Sequence, residues 1–258
     1  MNHKTVFITG AASGIGKATA KLFAANGWYV GLYDVNKKGL LSLQKEIGDG
    51  RCCIKVADVT DVKSMIAAMK HFESNTGGRL NVLFACAGVL SMGYHDEISI
   101  NNQHFMVDVN LKGILNTIHA GFDLLKRTPD SKIIMMSSAA SLAGVAHLAV
   151  YSATKAAVSS LAESLNMEFE RYGIHVCDVR IPYANTPMLQ QEVLAASVTK
   201  LGISMDPEDV AKIVLKTTEK NKIHNDGGLL SFHMLKKMPE FIRLPILKLL
   251  FLPSRGKK

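Results

Sequence analysis

Short apolar runs alternate with longer amphipathic ones along most of this chain. The run KTVFIT predicts a strand, followed by a helix over residues 15–26. WYVGLYD predicts a second strand, then a helix over 37–47; CCIKVAD a third, then a helix over 62–74. LNVLFACAG reads as a fourth strand, and one long helix is expected over 101–126. KIIMMSS, a second long helix over 150–171, and IHVCDVR complete the series. Near-continuous apolar strands joined by helices are the pattern of a parallel sheet covered on both faces. The expected fold class is therefore α/β, a single doubly wound parallel sheet with ligand at the carboxyl ends of its strands.

MDPEDVAKIVLK carries a helix start: Asp206 as the cap, Pro207 at the first helical position, Glu208 and Asp209 at the positive end. In the tail, Met234, Leu235, Met238, Phe241 and Ile242 recur at helical spacing, with Lys236, Lys237, Glu240 and Arg243 on the other face. Pro245 is expected to interrupt this helix, and the apolar run ILKLLFL after it is too short to span a bilayer, which takes about 20 residues. Residues 229–258 thus form a basic amphipathic extension to a main domain over 1–228. Its readings are a lid or interface segment, a membrane-surface segment, or a disordered tail.

Length and composition agree with one compact domain: 258 residues, 48% hydrophobic. The net charge of +8 is concentrated, since the last thirty residues hold seven basic side chains against one acid, or +6. That points to a local partner for the tail, not to a nucleic-acid-binding body. The opening MNHKTVFITG reads as a buried strand, not as a signal peptide, and the four cysteines show no metal-ligand spacing. A cytoplasmic protein with reduced thiols is expected.

Chemistry begins at TGAASGIG, between the first strand and the first helix. Gly10, Gly14 and Gly16 permit a tight turn and close approach of a pyrophosphate, which the amides at Ser13, Ile15 and the helix start can receive. Asp34 ends the second strand eighteen residues past Gly16, where a carboxylate accepts from adenosine ribose hydroxyls and repels a 2′-phosphate. With no basic residue at Ala12 or Ser13, this favours NAD over NADP. Asp58 and Val59, after the third strand, are placed for the adenine. In YSATK, Tyr151 and Lys155 fall one turn apart on one helical face. A free phenol has a pKa of about 10, and a nearby ammonium would lower it toward useful acid–base work. Ser138, thirteen residues earlier, would hold the reacting oxygen, and the amide of Asn110 would hold a water linking Lys155 to solvent.

The ordered set TGAASGIG, ADVTD, DVNLKG, Ser138–Tyr151–Lys155 and NTPM resembles the short-chain dehydrogenase/reductase family over about residues 4–220. The resemblance implies a Rossmann-type fold, a Ser138–Tyr151–Lys155–Asn110 tetrad, and a homo-oligomer, dimer or tetramer, built on the two long helices. It implies that Ala87 and Gly88 approach the adenosine ribose and that Ala184 and Thr186 meet the carboxamide. Two positions depart from the pattern: Cys86 stands where an asparagine normally braces the sheet, and Pro182 where a glycine is usual. The apolar segments AASLAGVAHLAV and PMLQQEVLAASVTKLGISM favour a lipophilic alcohol or ketone of steroid, retinoid or long-chain type. His147 in the first of them is a further candidate for substrate contact. The reading is an NAD-dependent oxidoreductase; a non-catalytic NAD-sensing or membrane-surface scaffold is the alternative.

Overall fold

The computed structural model describes residues 3–191 and 193–252. Its sheet is built from β1 (Thr5–Thr9), β2 (Tyr29–Asp34), β3 (Cys52–Val56), β4 (Val82–Ala85), β5 (Lys132–Met136), β6 (His175–Arg180) and β7 (His224–Asp226). All pairings are parallel, in the order β3-β2-β1-β4-β5-β6-β7. The strand order reverses between β1 and β4, and the crevice beside that point is where doubly wound sheets bind ligand.

Successive residues of the central strands face opposite layers. Phe7, Tyr33, Leu83 and Ile133 are buried under α3 (Val62–Thr76), α5 (Gly113–Arg127) and α6 (Ala149–Phe169). Their neighbours Ile8, Leu32, Phe84 and Ile134 are buried under α1 (Gly14–Ala25), α2 (Lys37–Ile47) and α8 (Pro207–Thr217). This is why the strands read as continuous apolar runs and the helices as amphipathic ones.

Three expectations are corrected. The long helix over 101–126 is three pieces: α4 (Ile100–Val107), a π-helical turn over Asp108–Lys112, and α5. A π-turn takes one more residue per hydrogen bond, so it breaks the 3.6-residue phase that periodicity detects. Asp206 precedes α8 but makes no side-chain cap bond; its Oδ1 accepts from the Asn185 amide at 3.4 Å instead. Pro245 does not end the tail helix. The break falls at Met238 and Pro239, between α9 (Leu230–Lys237) and α10 (Glu240–Phe251), and Pro245 sits inside α10. Strand β7 and the short α7 (Ala196–Leu201) were not expected. The β7 sequence, HND, has no apolar signal, and it is a strand because β6 offers it an edge.

Candidate functional site

The turn after β1 places Gly10 at φ 69° and Gly14 at φ 48°, backbone that L side chains rarely adopt. A Cβ on Gly10 would lie 2.8 Å from the Ala87 Cα, and one on Gly16 would lie 2.0 Å from the Gly10 carbonyl oxygen. Ser13 stands at the start of α1 without a side-chain cap bond, so the first amides of that helix are open to an anionic ligand. Asp34 braces this turn: its Oδ2 accepts from the Ala12 amide at 3.0 Å and its Oδ1 from the Asn36 amide at 2.9 Å. On the far side, Thr186 closes against Gly14, where an added Cβ would meet its Cγ2 at 3.3 Å.

These residues open onto one cavity of about 510 Å³ at the carboxyl ends of the strands. Gly10, Ser13, Gly14, Ile15, Gly16, Asp34, Asp58, Val59, Ala87 and Gly88 line it on the β3–β2–β1–β4 side. Ser138, Tyr151, Lys155, Ala184 and Thr186 line the same cavity on the β5–β6 side. Within the tetrad, Asn110 stands apart: it is fully buried and does not reach the cavity wall.

Asn110 lies at the middle of the π-turn. Its Nδ2 donates to the Val89 carbonyl at 2.9 Å, and its Oδ1 accepts from the Val89 amide at 2.8 Å. This corrects the expectation that its amide holds a relay water, since the side chain clamps the segment after β4 instead. The clamp and Lys155 both lie close to Gly88, where an added Cβ would be 3.3 Å from the Asn110 Oδ1 and 3.7 Å from the Lys155 Nζ.

A family model described as short chain dehydrogenase matches residues 4–196. This chain belongs to the short-chain dehydrogenase family. It is 34% identical to oxidoreductase UcpA of Escherichia coli (strain K12) over 212 residues, 81% of this chain and 78% of that one. A cyclohexanol dehydrogenase from Acinetobacter sp. (strain SE19) is 30% identical over 218 residues, covering 83% and 86%. Among solved structures, a 3-ketoacyl-(acyl-carrier-protein) reductase from Brucella melitensis complexed with NADH superimposes with a TM-score of 0.79 at 25% identity, over 87% of this chain and 97% of that one. An alcohol dehydrogenase from Thermococcus sibiricus complexed with 5-hydroxy-NADP shares the fold, with a TM-score of 0.78 at 23% identity over 93% and 100%. The chain is thus an oxidoreductase of the short-chain dehydrogenase family, and residues beyond 196 lie outside the family match.

Within this short-chain dehydrogenase the charges are set by burial. Lys155 is buried, donates to the Met136 carbonyl at the end of β5 at 2.8 Å, and is lowered to about 8 by loss of water. Burial also pushes the Tyr151 phenol up to about 12, with the Ser138 hydroxyl pulling the other way. The expectation that Lys155 lowers the phenol's pKa is therefore corrected for the protein by itself. The ammonium lies 5.5 Å from the centre of the Tyr151 ring and is bound to a carbonyl, and desolvation outweighs it.

The segment at Cys86 is held by its backbone. The Thr9 hydroxyl accepts from the backbone amides of both Cys86 and Ala87, at 3.1 and 3.2 Å. Burial pushes the Cys86 thiol up to about 12, so it is no nucleophile. Thr9 was not expected to serve the site, because a threonine ending a strand carries no signal of its own. Asp58 spends Oδ1 on Thr60, accepting from its amide at 2.8 Å and its hydroxyl at 2.7 Å. The carbonyl of Val59 accepts from the Asn116 amide at 2.8 Å. Pro182 lines the cavity, and Ala184 is pinned by a bridge to Met205. His147 does not line the cavity; at φ 67° its ring packs edge-on to Tyr94, with centroids 4.4 Å apart.

The remaining wall comes from the tail. Leu229, Phe232 and Phe251 line the cavity, and Phe251 is only 2% exposed. Phe232, Leu247, Leu250 and Phe251 share an apolar cluster with Val145, Leu148 and Tyr151. The amphipathic pattern of the tail was legible, but its destination beside Tyr151 was not, because contacts separated by some hundred residues leave no periodicity.

Proposed function

We propose that this chain interconverts a hydrophobic secondary alcohol and its ketone with NAD(H), Tyr151 serving as proton acceptor and donor. One observation carries the reading: Tyr151, Ser138 and Lys155 line the same cavity as the glycine turn and Asp34. The glycine cradle, which a Cβ would fill, and the open amides of α1 fit a dinucleotide pyrophosphate. Asp34 faces the ribose and disfavours a 2′-phosphate, which supports NAD over NADP. When bound, an oxidised nicotinamide supplies the hydride acceptor, and its positive ring favours the phenolate. Ser138 holds the substrate oxygen beside the Tyr151 hydroxyl, which takes the alcohol proton in oxidation and returns it in reduction. Lys155, which donates to the Met136 carbonyl, has further donors with which it would hold the ribose hydroxyls. The apolar cluster of Val145, Leu148, Leu189 and Phe251 supports a lipophilic substrate of steroid, retinoid or long-chain type and keeps water from the reacting oxygen.

The test is hydride transfer itself. Cyclohexanol and longer apolar alcohols are incubated with NAD, and growth of reduced-cofactor absorbance is followed. Tyr151→Phe should retain NAD binding and lose about a thousandfold in turnover. Unchanged turnover in that variant rejects Tyr151 as the acid–base group, and absence of turnover in the parent with every apolar alcohol favours a non-catalytic NAD-binding role. A homo-oligomer belongs to the same proposal, supported by the exposed Leu115 on α5 and Met167 on α6, and light scattering tests it.

A further inference from the structure

The tail helix α10 is apolar on two sides. Leu247, Leu250 and Phe251 face inward to the cluster that holds Tyr151. Around the other half of the same helix, Phe241, Ile242, Leu244 and Leu249 face solvent, with Phe241 78% and Leu249 74% exposed. At 100° per residue these outer positions, together with Lys248, fall within one continuous arc, and the inner three fall outside it. A helix that is apolar all round is normally enclosed on every side. Here one side is enclosed by the protein and the other is bare.

On α9, Leu230 and Met234, one turn apart, are also exposed. Cations accompany them: Lys236 and Lys237 end α9, and Lys248 lies within the apolar arc of α10. The tail holds seven basic residues and one acid. No helix among the described residues is long and apolar enough to cross a membrane. The position of α10 is also fixed from below: the Lys200 ammonium on α7 donates to the Leu249 and Leu252 carbonyls, both at 2.6 Å, and holds the end of the helix.

We propose that the outer face of α9 and α10 docks on an anionic lipid bilayer, lying in its interface. Charge complementarity selects this occupant. A second copy seated on the same face about a two-fold axis would bring two basic segments together, each with Lys236, Lys237, Arg243 and Lys248 against Glu240 alone, which like-charge repulsion opposes. An anionic lipid surface takes the apolar arc into its acyl boundary and the lysines to its headgroups. Docking would also place the apolar wall of the cavity, Phe251 included, one helix thickness from lipid. That consequence for substrate entry rests on the proposed function, whereas the docking does not.

The full-length protein is sedimented with vesicles of phosphatidylcholine alone and of phosphatidylcholine with about a third phosphatidylglycerol. Binding is expected to the second and not the first, and to weaken at about 0.5 M salt. The double variant Phe241→Ser/Leu249→Ser should lose at least about tenfold in vesicle partition while its melting temperature stays unchanged. Lys236→Glu/Lys237→Glu, which keeps the apolar arc, should also weaken binding to the anionic vesicles. No vesicle binding by the parent, or equal binding to both compositions, overturns the proposal. So does a concentration-dependent oligomer that the serine variant abolishes in the absence of lipid, which would make the face an interface between copies. Vesicle binding needs no turnover, so a chain that binds vesicles but reduces no NAD sinks the enzymatic reading and leaves the docking intact.

Discussion

The Lys155 ammonium donates to the Met136 carbonyl at 2.8 Å while lying 5.5 Å from the centre of the Tyr151 ring. It is thus held on the end of β5 and lies below the phenol. Its burial lowers it from the ordinary lysine value to about 8. The unfolded chain therefore binds a proton that the folded chain gives up between pH 8 and about 10.5, and folding stability rises with pH across that window. Below pH 8 the full burial penalty stands. Lys155→Met should then raise stability at pH 7 by about 1–3 kcal/mol, less than the full shift because the Met136 carbonyl loses its donor. The advantage should shrink as pH rises from 8 to 10.5, while hydride transfer is lost. Melting curves of both proteins across that range test it, and an advantage that grows with pH would contradict the assignment.

Thr9 supports the turn after β4. Thr9→Val keeps the shape of a 1% exposed side chain but leaves two amides, of Cys86 and Ala87, without an acceptor. The expected cost is about 2–4 kcal/mol, with dinucleotide binding weakened as the β4 segment loosens. Thr9→Ser, which keeps the hydroxyl, should stay within about 1 kcal/mol of the parent. Urea unfolding midpoints at unchanged slope separate the two.

Gly10 carries both a conformational and a steric requirement. At φ 69° and with 2.8 Å between an added Cβ and the Ala87 Cα, Gly10→Ala meets backbone on both counts. About 2–4 kcal/mol of stability should be lost, and NAD binding with it. Gly50, with open space around its Cβ position, provides the control: Gly50→Ala should leave NAD binding unchanged in calorimetry.

Asp34 holds the glycine turn as well as facing the cavity. Asp34→Ser removes the acceptor of the Ala12 amide along with the charge that opposes a 2′-phosphate. Calorimetry should show NAD weakened about tenfold and the ratio of NAD to NADP affinity reduced. Retention of the proposed preference for NAD in this variant would place the discrimination elsewhere.

What the sequence made legible was whatever repeats or has fixed spacing. The strands ending in Thr9, Asp34 and Met136 follow from short continuous apolar runs, and the helix turn holding Tyr151 and Lys155 from a periodicity of 3.6. The glycine turn is readable because three backbone demands fall at fixed intervals. Burial and long-range contact are not written that way. Nothing near Asn110 announces that its amide spends both ends on Val89, twenty-one residues earlier. Tyr151 and Lys155 were placed together by spacing, but the balance between ammonium and desolvation depends on walls supplied by Val145, Leu148 and the tail. β7 was invisible because an edge strand of polar residues exists only through its partner.

The hold of Lys200 on α10 yields the last prediction. One ammonium satisfies carbonyls of Leu249 and Leu252 at the helix end, where backbone acceptors have no intrahelical partner and a cation is favoured. Phe251, buried on the adjacent turn, closes the cavity next to Tyr151's cluster, so loosening that end should open the apolar wall. In Lys200→Met, amide hydrogen exchange over residues 247–251 should accelerate about fivefold, with exchange in β1 and β4 unchanged. KM for an apolar alcohol should rise while NAD affinity holds, because the glycine turn lies at the other end of the cavity. If exchange over 247–251 is unaltered, inward packing of Leu247, Leu250 and Phe251 alone keeps α10 in place.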